Sequence, residues 1–185
     1  NADSVLAAMD RCAETSWMMN MGSAKGDLIE KVIAQRRPKR LLEIGTFLGY
    51  MSIRLARSMP EDASLTTIEI DDDNYAASRR IRAKALGKRD DSVVALKANA
   101  SHAIQSFKQP FDFVLMDHWK PVLTQRLFPN FSELQVRVDG VGATLRHRDA
   151  VDVAVRESTG LVRESRRFAT LSVPHRTTRG TSRRY

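Results

Sequence analysis

The stretch LLEIGTFLGYMS, Leu41 to Ser52, decides how the rest of the chain is read. Its apolar run is interrupted only by Glu43 and ends at Gly45, with a second glycine at Gly49. From Tyr50 the sequence YMSIRLARSM places Ile53, Ala56 and Met59 at helical spacing, so a strand turns into a helix here. Glycine allows a tight turn and lets a ligand approach the backbone. The spacing is G-x-x-x-G and not the G-x-G-x-x-G of a dinucleotide pyrophosphate loop, which points to a ligand without a pyrophosphate. A carboxylate at Glu43, just before the turn, repels phosphate and attracts a cationic amine or sulfonium.

The same change of period repeats on either side. Two helices, Asp3 to Ala13 and Ala24 to Gln35, precede the first strand. After it, SLTTIEI (Ser64 to Ile70) reads as a strand and DNYAASRRIRAKALG (Asp73 to Gly87) as a helix opened by acids and closed by glycine. SVVALKAN (Ser92 to Asn99) is a strand, SHAIQSF (Ser101 to Phe107) a short helix with Ser101 at its cap, and FDFVLMD (Phe111 to Asp117) an apolar strand ending in an acid. Further on, a helix is expected through VLTQRLFPNFSELQV, a fifth strand at Gly140 to Arg146, a helix at Ala150 to Thr159 and a sixth strand at Phe168 to Pro174. Strands alternating with helices predict an α/β, Rossmann-like doubly wound, mostly parallel sheet with helices on both faces. One domain is expected over 1–185: leading helices at 1–36, a cofactor-binding half at 37–120 and a divergent, Arg-rich substrate half at 121–185.

Bulk composition narrows the class. Hydrophobic residues make up 42% of the chain, as in a globular protein, and no apolar run is long enough for a membrane span. The first residues, NADSVLAAMDRCAETSW, lack the pattern of a secretory signal. Cys12 is the only cysteine, which excludes an intrachain disulfide and makes a reducing intracellular compartment the expectation. The net charge of +8 is concentrated from Arg137 onward, where eleven arginines face five acids. Such an end suits a solvated surface or a protein partner. Nucleic acid is not expected, because no aromatic residues interleave with these arginines as a stacking platform requires.

Strand ends supply the candidate site, since sheets of this kind bind ligands at the carboxyl ends of their strands. Glu69 ends the second strand, where an acid commonly takes ribose hydroxyls. Asp71, Asp72 and Asp73 are near enough to do the same, though they also suit the N-terminus of the next helix. A ligand with a cationic amino-acid end and a ribose end is S-adenosylmethionine. Asp117 ends the fourth strand and is followed by His118, Trp119 and Lys120. Asp117 suits a divalent cation and Lys120 a base, with Trp119 as a flat wall.

These motifs resemble catechol O-methyltransferase. SWMMNMGSAKG (Ser16 to Gly26), LLEIGTFLGYMS, TTIEIDDDNYAA (Thr66 to Ala77), NASHAI (Asn99 to Ile104) and FVLMDHWK (Phe113 to Lys120) occur in the family's order across about residues 14 to 120. The resemblance implies a class I S-adenosylmethionine-dependent methyltransferase fold. It implies that Met21, Gly22 and Ser23, within a segment reaching Lys25, line the methionine end of the cofactor, and that Glu43, Gly45 and Tyr50 wall the same end. Glu69 would hold the ribose, Ile70 would lie against the adenine, and Ser101, His102 and Trp119 would complete that pocket. Trp17 would wall the substrate slot, Asp117 would bind Mg²⁺ and Lys120 would deprotonate a catechol hydroxyl.

The resemblance weakens beyond Lys120. Family members carry an Asp-Asn pair at the end of the next strand, and this chain reads DGVGATLRHRDAVD there. One alignment puts Arg146 and His147 at the pair and another puts Arg148 and Asp149. Asp149 or Asp152 could substitute after a register shift, and His147 suits a softer metal. FATLSVPHRTTRG also lacks the family's acid and tyrosines. The sequence therefore predicts an O-methyltransferase acting on a catechol-like small molecule, with Mg²⁺ short of two ligands. The alternative is a catalytically degenerate methyltransferase fold that serves as a structural subunit, docked through its Arg-rich end.

Overall fold

A computed structural model describes residues 1–16, 18, 21–109 and 111–117, together with four strand segments beyond them. Helix α1 (Ala2–Thr15) opens on Asn1, whose side chain accepts from Ser4 N at 2.9 Å while the Ser4 hydroxyl returns a bond to Asn1 O. Helix α2 (Ser23–Arg36) follows, then strand β1 (Arg40–Ile44), helix α3 (Tyr50–Ser58) and strand β2 (Ser64–Glu69). Helix α4 (Asp72–Leu86) runs into a 3₁₀ turn at Gly87–Ser92, which the sequence reading did not expect. Strand β3 (Val93–Lys97), helix α5 (Ala100–Gln105) and strand β4 (Phe113–Met116) complete the first part.

β1, β2, β3 and β4 are parallel, with β1 between β2 and β4. The expected βαβ succession is thus realised, with helices on both faces. Alternation along β1 splits the core. Leu41 packs with Leu6, Ile29, Ile53 and Leu65 beneath α1, α2 and α3, whereas Leu42 and Ile44 pack with Ile68, Ile104 and Val114 beneath α5. The strand period of two puts Glu43 on Leu41's face, Thr67 and Glu69 on Leu65's, and Asp117 on that of Phe113 and Leu115. Polar residues therefore take over the α3 face only toward the carboxyl ends of the strands.

The strands after β4 depart from the expectation. Ala150–Arg156 is strand β7, antiparallel to β4 with Leu115 opposite Val153, and not a helix. Its Val151, Val153 and Val155 recur at period two, and β-branched side chains favour a strand. β8 (Phe168–Pro174) is the predicted sixth strand and pairs antiparallel with β7, giving the order β3-β2-β1-β4-β7-β8. The predicted fifth strand exists as β6 (Val141–Ala143), but it pairs with β5 (Val136–Val138) in a separate two-stranded sheet. The expected helix at 122–136 lies outside the described residues, except that Val136 begins β5.

Two expected caps also resolve. Asn99, not Ser101, caps α5: its side chain accepts from Ser101 N at 3.0 Å and from the Ser101 hydroxyl at 2.6 Å. Asp71 caps α4 by accepting from Asn74 N at 2.8 Å, and Asp72 and Asp73 occupy the first turn, where acids complement the helix dipole. None of the described helices is long and apolar enough to cross a membrane.

Candidate functional site

β1 delivers Glu43 to the sheet edge with no exposure at all. Its Oε2 accepts from the hydroxyls of Ser52, on α3, and Thr67, on β2, the latter at 2.6 Å. Its Oε1 is buried without a hydrogen-bond partner among the described residues. Burial pushes the Glu43 carboxyl up to about 7; the bonds from Ser52 and Thr67 oppose that rise, and Asp117 adds to it. An acceptor left open in this way costs about 1–3 kcal/mol. A cationic N–H donor reaching Oε1 removes that cost and favours the ionised carboxylate.

The loop between β1 and α3 holds the second acid. Gly45 has φ +94° and donates its N–H to Ile68 O at 3.0 Å, tying the turn to β2. Gly49 has φ +85°, and a Cβ there would lie 3.3 Å from Ser78 Cβ, so both conformation and the approach of α4 demand glycine. Between them Phe47 has φ +48°, unusual for a bulky residue. Phe47 N donates to Glu69 Oε2 at 2.7 Å, and Ile70 N and Asp71 N both donate to Oε1 at 2.9 Å. Three backbone donors thus fix the Glu69 carboxylate. A carboxylate has about four acceptor positions, which leaves room for one more donor such as a ligand hydroxyl.

The other predicted residues fall as follows. Met21 is half-buried against the α1–α3 core, Gly22 caps α2 at φ +80°, and Ser23 is exposed as the first residue of that helix. Tyr50 turns its ring into the core beneath the Arg54 guanidinium, 5.1 Å from the ring centre. Ile70 is 60% exposed, an apolar side chain beside the Glu69 carboxylate. Ser101 is buried and His102 exposed on α5. Asp117 N donates to Ile44 O at 2.9 Å, and burial pushes its carboxyl up to about 6 against the pull of Lys25. Trp17, Trp119, Lys120, Arg146, His147, Arg148 and Asp149 lie outside the described residues, as does the side chain of Asp152.

Sequence reasoning missed Ser52, Thr67 and Phe47. A serine in a helix and a threonine in a strand carry no signal of a buried carboxylate, and phenylalanine gives none of a left-handed residue. The described residues contain no group of three His, Cys, Asp or Glu able to hold a metal. Asp117 alone does not satisfy a hard cation, which takes six or more oxygen ligands.

A parallel sheet carrying acids at the ends of β1 and β2, with a positive-φ glycine turn between β1 and α3, is the class I methyltransferase arrangement. Comparison with known proteins agrees. The chain belongs to the O-methyltransferase family, whose model matches residues 5–145. It is 38% identical over 122 residues to the catechol O-methyltransferase of Mus musculus, covering 63% of this chain and 46% of the relative. Catechol O-methyltransferase B of Danio rerio is 34% identical over 123 residues, with the same coverage of 63% and 46%. This chain therefore spans about half the length of the curated relatives it matches. Among solved structures, the O-methyltransferase TomG of Streptomyces achromogenes, determined with S-adenosylmethionine, superposes with a TM-score of 0.56 at 27% identity, covering 64% of this chain and 55% of that one.

Proposed function

We propose that the carboxyl edge of this sheet holds S-adenosylmethionine and that the protein transfers its methyl group to a hydroxyl of a catechol-like small molecule. The observation that carries this reading is the unpartnered Oε1 of Glu43, buried next to the loop that Glu69 secures. In this reading Glu43 Oε1 accepts an N–H of the amino group, and Ser52 and Thr67 keep it aimed. Glu69 accepts a ribose hydroxyl. Ile70 offers an apolar surface to the adenine, with Ser101, His102 and Trp119 around it. Met21, Gly22, Ser23, Gly45 and Tyr50 shape the methionine end.

When bound, the cofactor supplies an electrophilic methyl group on a sulfonium. Trp17 walls the acceptor slot. Lys120, as the neutral amine, would take the proton of the acceptor hydroxyl, and the bound cofactor would supply the methyl group and leave as S-adenosylhomocysteine. Holding the oxygen in line with the methyl supplies much of the rate. Asp117 is the described residue that would hold Mg²⁺, with its further ligands outside the described residues, and the metal would lower the pKa of the acceptor hydroxyl; no step is routed through it. The test is transfer of labelled methyl from S-adenosylmethionine to catechol, with and without Mg²⁺, by the wild type and by Lys120→Ala. Methylated product that depends on Lys120 is expected. Cofactor binding without transfer to any catechol would overturn the acceptor assignment.

A further inference from the structure

Helix α2 carries the Met21–Lys25 side of the proposed site, yet its first turn is poorly made. Its N-cap is Gly22, which has no side chain to bond the free N–H groups, and the first turn contains no acid. A second glycine, Gly26, sits within the helix and adds conformational freedom that favours unwinding. Local sequence therefore does not hold this end of α2, and tertiary contact must.

That contact comes from α3. Arg54 is 4% exposed and lies directly on the Gly26 backbone: a Cβ on Gly26 would stand 2.5 Å from Arg54 Nε and 2.6 Å from its Cδ and Cζ. From there Arg54 Nη1 bridges to Asp27 Oδ1 at 2.8 Å and Glu30 Oε2 at 3.0 Å. Arg54 Nε is buried without a partner among the described residues, so the group is kept at some cost. The same helix opens at the glycine loop and contributes Ser52 to Glu43. We infer that Arg54 is a positioning residue: by seating its guanidinium on Gly26 and bridging Asp27 to Glu30, it orders the first turn of α2 against α3 and sets the α2 side of the cofactor site relative to Glu43. The functional part of this inference rests on the site reading above.

Arg54→Met tests it, because it keeps an apolar stem in the slot and strands no buried carboxylate: Glu30 retains Arg57, at 2.6 Å and 2.9 Å, and Asp27 is exposed. Two readouts are taken, amide hydrogen exchange and calorimetric binding of S-adenosylmethionine. The expected result is loss of protection at the Gly26 and Asp27 amides by about tenfold or more, with β1 and β4 amides unchanged, and cofactor affinity lower by about tenfold. Gly26→Ala, which collides with the Arg54 side chain from Cδ outward, should weaken both readouts in the wild-type background and leave them unchanged in an Arg54→Ala background, which removes the atoms it meets. A merely structural role for Arg54 would lower global stability in denaturation and leave the affinity of the folded protein for S-adenosylmethionine unchanged. Wild-type protection and affinity in both single variants would overturn the inference. If wild-type protein binds no S-adenosylmethionine, the site reading fails, while the exchange data still decide whether Arg54 orders α2. Should Arg54→Met not fold, Gly26→Ala alone carries the same decision.

Discussion

Glu43 has a titration set by its surroundings and not by its neighbours in sequence. Its carboxyl is held near 7 in the folded chain against an ordinary value of 4.5, chiefly by burial. The folded state therefore binds this proton more tightly than the unfolded state does. The stability it contributes is complete below about pH 4.5 and is lost as pH rises through about 7. A difference of this size corresponds to about 3 kcal/mol. Urea unfolding of the ligand-free protein at pH 5 and pH 8 should show that slope, and Glu43→Gln should reduce it, with the remainder carried by Asp117, whose carboxyl burial pushes up to about 6. An equal slope in the variant would mean that Glu43 is not the group responsible. Binding of a cationic donor at Oε1 should also release a proton near pH 6. Titrations in buffers of different ionisation enthalpy would report that release, and heats independent of buffer would speak against it.

At the scale of elements, the turn between β1 and α3 was legible because its determinants are local. Gly45 and Gly49 are needed where φ is positive, and the alternation of periods on either side marks strand and helix. The succession of β1 to β4 and the acids at the ends of β1, β2 and β4 follow from the same pattern, whereas the register between these strands is known only from the structure. β7 was misread although Val151, Val153 and Val155 recur at the strand period, because the segment is short; its place between β4 and β8 completes that local preference. The Glu69 carboxylate was legible as an acid at a strand end, but its three backbone partners were not, since they depend on the left-handed Phe47. A prediction belongs to this turn. Gly49→Ala should destabilise the protein by about 1–3 kcal/mol, through strain at positive φ and crowding against Ser78. Chemical denaturation measures it; a neutral effect would mean that the loop relaxes freely.

For the molecule as a whole, the central claim is that one ligand ties β1, β2 and the α2 end together. A ligand that binds only the folded chain stabilises it by about 2.7 kcal/mol at a hundredfold excess over Kd. Thermal unfolding with S-adenosylmethionine at that excess should therefore rise by several degrees. The Arg-rich end, read as a solvated surface or a docking surface for a protein partner, lies largely outside the described residues, and no comparison supports that partner. Family membership instead favours the catalytic reading over the structural-subunit alternative.

The most direct test is calorimetric titration of the wild type and Glu69→Ala with S-adenosylmethionine, with folding of both checked by circular dichroism. The account predicts micromolar binding by the wild type and none measurable by Glu69→Ala. No heat of binding from well-folded wild-type protein, or undiminished binding by Glu69→Ala, would contradict it.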